Sequence, residues 1–178
     1  MPEYSIIVPV YKAEELLAEC IDSVLCQKLK KDGIDVNWHV IGDGPHMSQL
    51  RELIEQNEVA NTVVLHGSQS NPFSHIKNAD LFVLTSIWET YGMVVVESLI
   101  NGTPVVAGYY PALPEILSDG ENGIIAENSV DGIYEAVKRV LTDKELYKKI
   151  KSGAENYKYS PDIAYEQFIN MVKGEDRA

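Results

Sequence analysis

The stretch ADLFVLTSIWETYGMVVVESLINGTPVVAG, residues 79–108, decides the fold. Its two ends, ADLFVLTS and TPVVAG, are short apolar runs with the length and composition of buried strands. The middle, YGMVVVESLING, is ambiguous, because its valines favour a strand by propensity. Its context favours a helix. It lies between two strong strand signals, and it closes at Asn101-Gly102 before Pro104, a helix-stop pattern. Strand, helix, strand is a right-handed βαβ unit, which implies a parallel sheet.

The same alternation extends in both directions. YSIIVPV (4–10), DVNWHVIG (35–42), NTVVLHG (61–67) and GIIA (123–126) read as four further strands. Ile6, Ile7, Val8 and Val10 suit burial on both faces, so the first strand is expected at the centre of the sheet. Pro9 is expected at that strand's end, since proline cannot donate to a ladder. AEELLAECIDSVLCQ has helical spacing at Leu16, Leu17, Cys20, Ile21, Val24 and Leu25. Pro45 suits the first turn of a helix bearing Leu50, Leu53 and Ile54. Asn128 or Ser129 caps another, with Ile133, Ala136, Val137, Val140 and Leu141 on one face. TDKELYKKIKSGAENYKYS reads as a charged helix, and Ser160-Pro161 opens a last one with Ile163, Phe168, Ile169 and Val172. The expectation is one α/β, Rossmann-like domain with a six-stranded parallel sheet. Ligands bind such sheets beyond the carboxyl ends of the strands. That edge collects the loops at Pro9–Lys12, Gly42–Pro45, Gly67–Pro72, Ser86–Gly92 and Gly108–Pro111.

Composition removes several function classes. The 178 residues carry a net charge of −12, with a pI near 4.7. Such a surface disfavours nucleic acid and unaided adsorption to anionic lipid. No apolar stretch reaches the roughly 18 residues of a membrane span. The basic region of a secretory signal is absent from MPEYSIIVPVYKAEE. Cys20 and Cys26 would lie roughly 9 Å apart along one helix, too far for a disulfide, so they read as core thiols in a reducing cytoplasm. His39, His46, His66 and His75 show no metal-ligand spacing. There is no GxGxxG, no P-loop and no spaced Asp-x-Asp pair, so neither a nicotinamide cofactor nor a metal-bound triphosphate is supported.

Within SIWETYGMVVVE (86–97), Glu89 and Glu97 stand eight apart. The segment leads into a helix N-terminus, where unpaired amides and the dipole favour an anion. Gly92 permits close approach to the backbone. A carboxylate accepts two hydroxyl hydrogen bonds at once, as a ribose diol offers. The segment therefore suits a ligand with a phosphate between two sets of hydroxyls, the form of a nucleotide sugar. The residues alone also fit a plainer reading, in which Glu89 complements the dipole and Glu97 is solvated surface. Gly67 and Ser68, in GSQSNP, are small groups able to meet a base or ribose, or parts of a generic turn.

In combination the loops resemble a known family. HVIGDGPHMSQLRELI, VVLHGSQSNPFSHIKNADLFVLTSIWETYGMVVVESLINGTPVVAG and PEILSDGENGIIAENSVDGIYEAVKRVL are similar to the C-terminal domain of family 4 (group 1) retaining glycosyltransferases. The likeness covers roughly residues 28 to 172, with six motifs in the family's order. It implies the GT-B fold, two Rossmann-like domains across a cleft, with the C-terminal one holding a UDP- or GDP-sugar and no metal or other cofactor needed. It implies that Glu89 sits at the donor sugar near the reacting centre. Thr90, Tyr91, Gly92 and Met93 then meet sugar and phosphate, and Glu97 grips the ribose hydroxyls.

The first 27 residues depart from that family and resemble the start of a family 2 glycosyltransferase, of the unrelated GT-A fold. The Arg and Lys that hold the donor diphosphate in the group 1 family have one candidate replacement here, Lys12. Losing one such contact weakens donor binding by roughly 10- to 100-fold. The expected division is residues 1–159 as the sugar-nucleotide domain, with 1–27 an atypical first βα unit, and 160–178 as a C-terminal helix and tail. The resemblance further implies hexosyl transfer to a glycan or lipid-linked acceptor, in surface (capsular) polysaccharide synthesis. It implies an acceptor-binding domain or partner subunit, and a cytoplasmic place, free or held at the inner face of the membrane through that partner. An inactive recombined remnant, a nucleotide-sugar-binding regulator and half of a sugar-nucleotide epimerase are the competing readings. The stripe on the last helix is expected to pack on its own domain, a second copy or a partner.

Overall fold

Each short apolar run becomes a parallel strand in a computed structural model that describes residues 4–11, 26–44, 47–56, 59–86 and 89–159. The strands are β1 (Tyr4–Tyr11), β2 (Val36–Asp43), β3 (Val63–Gly67), β4 (Leu81–Leu84), β5 (Val105–Gly108) and β6 (Gly123–Ala126). Their order across the sheet is β3-β2-β1-β4-β5-β6, and every pairing is parallel. The described helices are α1 (Cys26–Lys31), α2 (Met47–Gln56), α3 (Phe73–Asn78), α4 (Met93–Ile100), α5 (Leu113–Ile116), α6 (Val130–Thr142) and α7 (Lys144–Glu155). Successive residues of a strand face opposite sides of a sheet. Ile6 and Val8 of β1 accordingly join Trp38, Val40, Leu81 and Val83 under α6, against Ile133, Val137 and Val140. Ile7 joins Phe82 and Leu84 on the other side, against Val95, Val96 and Leu99 of α4. Both layers are buried, so β1 and β4 read as unbroken apolar runs rather than alternating ones.

α4 forms despite three consecutive valines. Val95, Val96 and Leu99 are fully buried, and burial of about 1.5–3 kcal/mol per side chain outweighs a propensity deficit of tenths. The predicted stop is present in full. Gly102, at φ 75°, donates its N–H to Leu99 O at 2.9 Å, and Thr103 N–H reaches Ser98 O at 3.0 Å. This is a Schellman closure around a left-handed glycine. The choice of cap for α6 falls on Ser129, whose Oγ accepts from Gly132 N–H at 3.0 Å. Asp143 caps α7 in the same way, accepting from Glu145 and Leu146 N–H.

β1 is central, third in the order, but Pro9 is not at its end. The strand continues to Tyr11, paired with β2 as far as Tyr11↔Asp43. The reason is directional. Ser5 makes both its backbone bonds toward β4, its C=O accepting from Asp80 N–H at 2.8 Å and its N–H donating to the Asp80 carboxylate at 2.7 Å. Backbone groups alternate sides along a strand, so Pro9 shares Ser5's direction. On that side the pairing stops at Ile7↔Phe82. The missing N–H of Pro9 thus faces a place where no ladder exists, and the bond to β2 is untouched.

α1 is fastened to α6 by charge. The Tyr134 hydroxyl donates to Asp32, which also pairs with Lys138 at 2.7 Å. Lys28 pairs with Asp131 at 2.7 Å and lies over the Tyr134 ring. The helix expected before residue 26, Cys20, Lys12, Pro45, His46 and the helix from Ser160 lie outside the described residues.

Candidate functional site

Strand order reverses between β1 and β4: β2 and β3 lie on one side of β1, β4 to β6 on the other. A crevice opens at such a switch point beyond the carboxyl ends. The loop that leaves β4 there runs into α4. Gly92 sits at the helix N-cap with φ 78° and ψ 49°, a left-handed turn that an L side chain rarely adopts. Around it Thr90, Tyr91 and Met93 are exposed, Tyr91 at 37% and Met93 at 49%. Glu97 stands four positions after Met93, roughly 6 Å further along the axis.

The two glutamates differ in setting. Glu89 is half-buried in the loop itself. Glu97 is half-buried on the helix, and desolvation raises its carboxyl above the ordinary 4.5. Among the described residues no cation pairs with it. Its backbone carbonyl accepts from Asn101 Nδ2 at 2.8 Å. A carboxylate that has lost water without gaining a cation is well suited to hydroxyl donors.

Beneath the elbow lies a residue that sequence reasoning did not single out. Tyr110 is buried and its hydroxyl donates to Tyr91 O at 3.4 Å. Burial, then the nearby Glu89 and Tyr91, push this phenol up to about 12. The loop Gly108–Pro111 was legible as part of the edge, but nothing local distinguishes Tyr110 from Tyr109, which is exposed.

Gly67 ends β3 at φ 65°, with open space where a Cβ would stand, and Ser68 is exposed beside it. Both sit at the carboxyl edge but three strands from β4. Just below, three histidines with no sequence spacing come together. His39 Nδ1 and His66 Nε2 are hydrogen-bonded at 2.9 Å with their rings stacked. His75 of α3 tilts against His66, with 4.5 Å between ring centroids. Burial, then the neighbouring histidines, hold His39 below the ordinary 6.5, and burial with His75 does the same to His66. Among the described residues no group of three or more His, Cys, Asp or Glu is arranged to hold a metal ion. Among them, too, no helix is long and apolar enough to cross a membrane.

Comparison with known proteins gives a consistent picture. The family described as Glycosyl transferases group 1 matches residues 11–157. The poly(ribitol-phosphate) alpha-N-acetylglucosaminyltransferase of Staphylococcus aureus is 29% identical over 167 residues, which is 90% of this chain and 32% of that protein. A crystal structure of a mutant S. aureus TarM with Fondaparinux, alpha-GlcNAc-glycerol and UDP matches with a TM-score of 0.80 at 24% identity, covering 94% of this chain and 35% of that one. The C-terminal domain of a group 1 family glycosyltransferase from Francisella tularensis matches with a TM-score of 0.70 at 23% identity, covering 86% of this chain and 83% of that domain. The chain spans 32% to 40% of the length of three curated relatives.

Proposed function

The chain belongs to the group 1 glycosyltransferases, and from that premise we propose that residues 1–159 are a donor-binding domain, followed by a helix and tail over 160–178. The donor is a UDP- or GDP-sugar. Glu97 is the observation that carries this reading: a half-buried carboxylate, raised by desolvation and without a cation among the described residues, behind a helix N-terminus at the switch point. A ribose diol donates two hydrogen bonds to such a group.

The rest of the donor follows from strand spacing. Gly67 and Ser68 lie three strands from β4, roughly 14 Å at about 4.8 Å per strand. That is enough to separate a base from a diphosphate. The amides of Thr90 to Met93 meet the diphosphate, with Lys12 as its cation. Glu89 is the catalytic group beside the anomeric carbon. In transfer the bond from that carbon to the diphosphate oxygen breaks and the acceptor hydroxyl oxygen bonds to it. The hydroxyl proton is released and the nucleoside diphosphate leaves. One relative above is named for N-acetylglucosaminyl transfer to poly(ribitol-phosphate), which supports a polymeric or lipid-linked acceptor, and with it a place in surface polysaccharide synthesis. The acceptor is held by a second domain or subunit across the cleft.

A thermal-shift screen with UDP, GDP, UDP-glucose and GDP-glucose tests the reading. Ligand at about 100 times its Kd adds about 2.7 kcal/mol, and one base series is expected to raise Tm by several degrees. No shift with any of the four counts against a donor site. The isolated 178-residue chain is expected to transfer no sugar, because orientation of the acceptor contributes roughly 7–11 kcal/mol of barrier reduction. Turnover at ordinary enzyme rates by this chain alone would contradict that division of labour.

A further inference from the structure

β5 ends at Gly108, and the next two tyrosines part company. Tyr109 is 53% exposed and Tyr110 is 2% exposed. A tyrosine hydroxyl taken out of water needs a partner. Here it is Tyr91 O at 3.4 Å, longer than the common O–H···O separation of about 2.7–2.8 Å. The contact that matters more is steric. A Cβ on Gly92 would stand 1.9 Å from the Tyr110 hydroxyl oxygen and 2.9 Å from its Cζ. The phenol therefore occupies the volume directly under the elbow. It fixes how deep the backbone of Tyr91 and Gly92 can sink before α4 begins. Burial, with the nearby Glu89 carboxylate, opposes loss of the phenol's proton, so the hydroxyl remains a donor.

We propose that Tyr110 is a positioning residue for the donor site, setting the path of Glu89–Gly92 and so the aim of the first amides of α4 and of Glu89. The inference rests on the donor-binding reading. It adds a residue whose side chain is too deep to touch the ligand itself. It also explains why residue 92 is glycine twice over: once for its positive φ, once for the phenol beneath it.

Tyr110→Phe keeps the ring and removes the hydroxyl. Amide hydrogen exchange and calorimetry with UDP-glucose and GDP-glucose are compared with wild type. Exchange at Val95, whose N–H is bonded to Gly92 O, and at the next helical amides Val96 and Glu97 should quicken by about threefold to tenfold, the worth of one neutral hydrogen bond. Amides of β5 and α6 should be unchanged. Affinity for the nucleotide sugar that binds should fall by a similar factor, while Tyr109→Phe leaves the exchange pattern of the elbow as in wild type. Unchanged exchange at residues 95–97 overturns the proposal, as does an even increase across β5 and α6. If wild type binds neither probe, the donor reading fails by itself, and the exchange comparison still decides whether Tyr110 holds the elbow.

Discussion

The two sides of β1 use the same kind of loop in opposite ways. On the β4–β5 side most of the candidate site comes from one unbroken piece of sequence, Ser86 to Tyr110. Its groups are Glu89, the Gly92 elbow and Glu97, with Tyr110 packed below. On the β2–β3 side the notable cluster is built from His39, His66 and His75, which belong to three different elements and meet only in space. A site made by one strand-loop-helix is local and leaves a pattern in the sequence. A site made across strands depends on register, and register leaves no local trace.

The glycines of the two loops give the sharpest contrast. Gly92 and Gly67 both have positive φ, but a Cβ at 92 collides with Tyr110 while one at 67 meets nothing within 4 Å. Gly67→Ala should cost about 1–2 kcal/mol, the strain of a left-handed residue alone. Gly92→Ala should cost that plus overpacking of about 1–3 kcal/mol, and should lower nucleotide-sugar affinity tenfold or more. Urea midpoints measure the stabilities. Equal losses at both positions would mean that Tyr110 moves aside freely.

A smaller effect belongs to the histidines. His39 and His66 titrate below 6.5 in the folded chain, so the unfolded chain binds more protons as pH drops. Their contribution to stability is whole above about pH 6.5 and is lost as pH falls through that value toward the lowered folded values. His66→Gln, which removes one titrating ring from the cluster, should flatten the fall between about pH 7 and 5. A stability profile that is flat in the wild type over that range, or identical in the variant, would show that the cluster is neutral to protonation.

Much of the fold was readable because each strand is a buried run punctuated by turn residues. α4 was readable because its stop signal, Asn101-Gly102 ahead of Pro104, outranks the strand preference of its valines. Pro9 was misplaced because the relevant fact is which neighbour its nitrogen faces, and that depends on where β4 stops pairing. At the site, Gly92 was legible as a turn into a helix start, while Glu89 and Glu97 were marked as ligand groups by the resemblance to the group 1 family, since their spacing alone also fits surface residues. Tyr110 could not be singled out, since its burial follows from the elbow folding down over β5, and two adjacent tyrosines give no local sign of which one turns inward.

The central claim is that the two glutamates divide one donor between them, Glu97 taking the ribose and Glu89 the sugar. Calorimetry on wild type, Glu97→Gln and Glu89→Gln, each with the free nucleotide and with its sugar conjugate, tests it directly. Glu97→Gln should weaken both ligands by about tenfold or more, through loss of a charged acceptor. Glu89→Gln should leave the nucleotide unchanged and weaken only the conjugate. Equal affinities for both ligands across all three proteins would contradict the account.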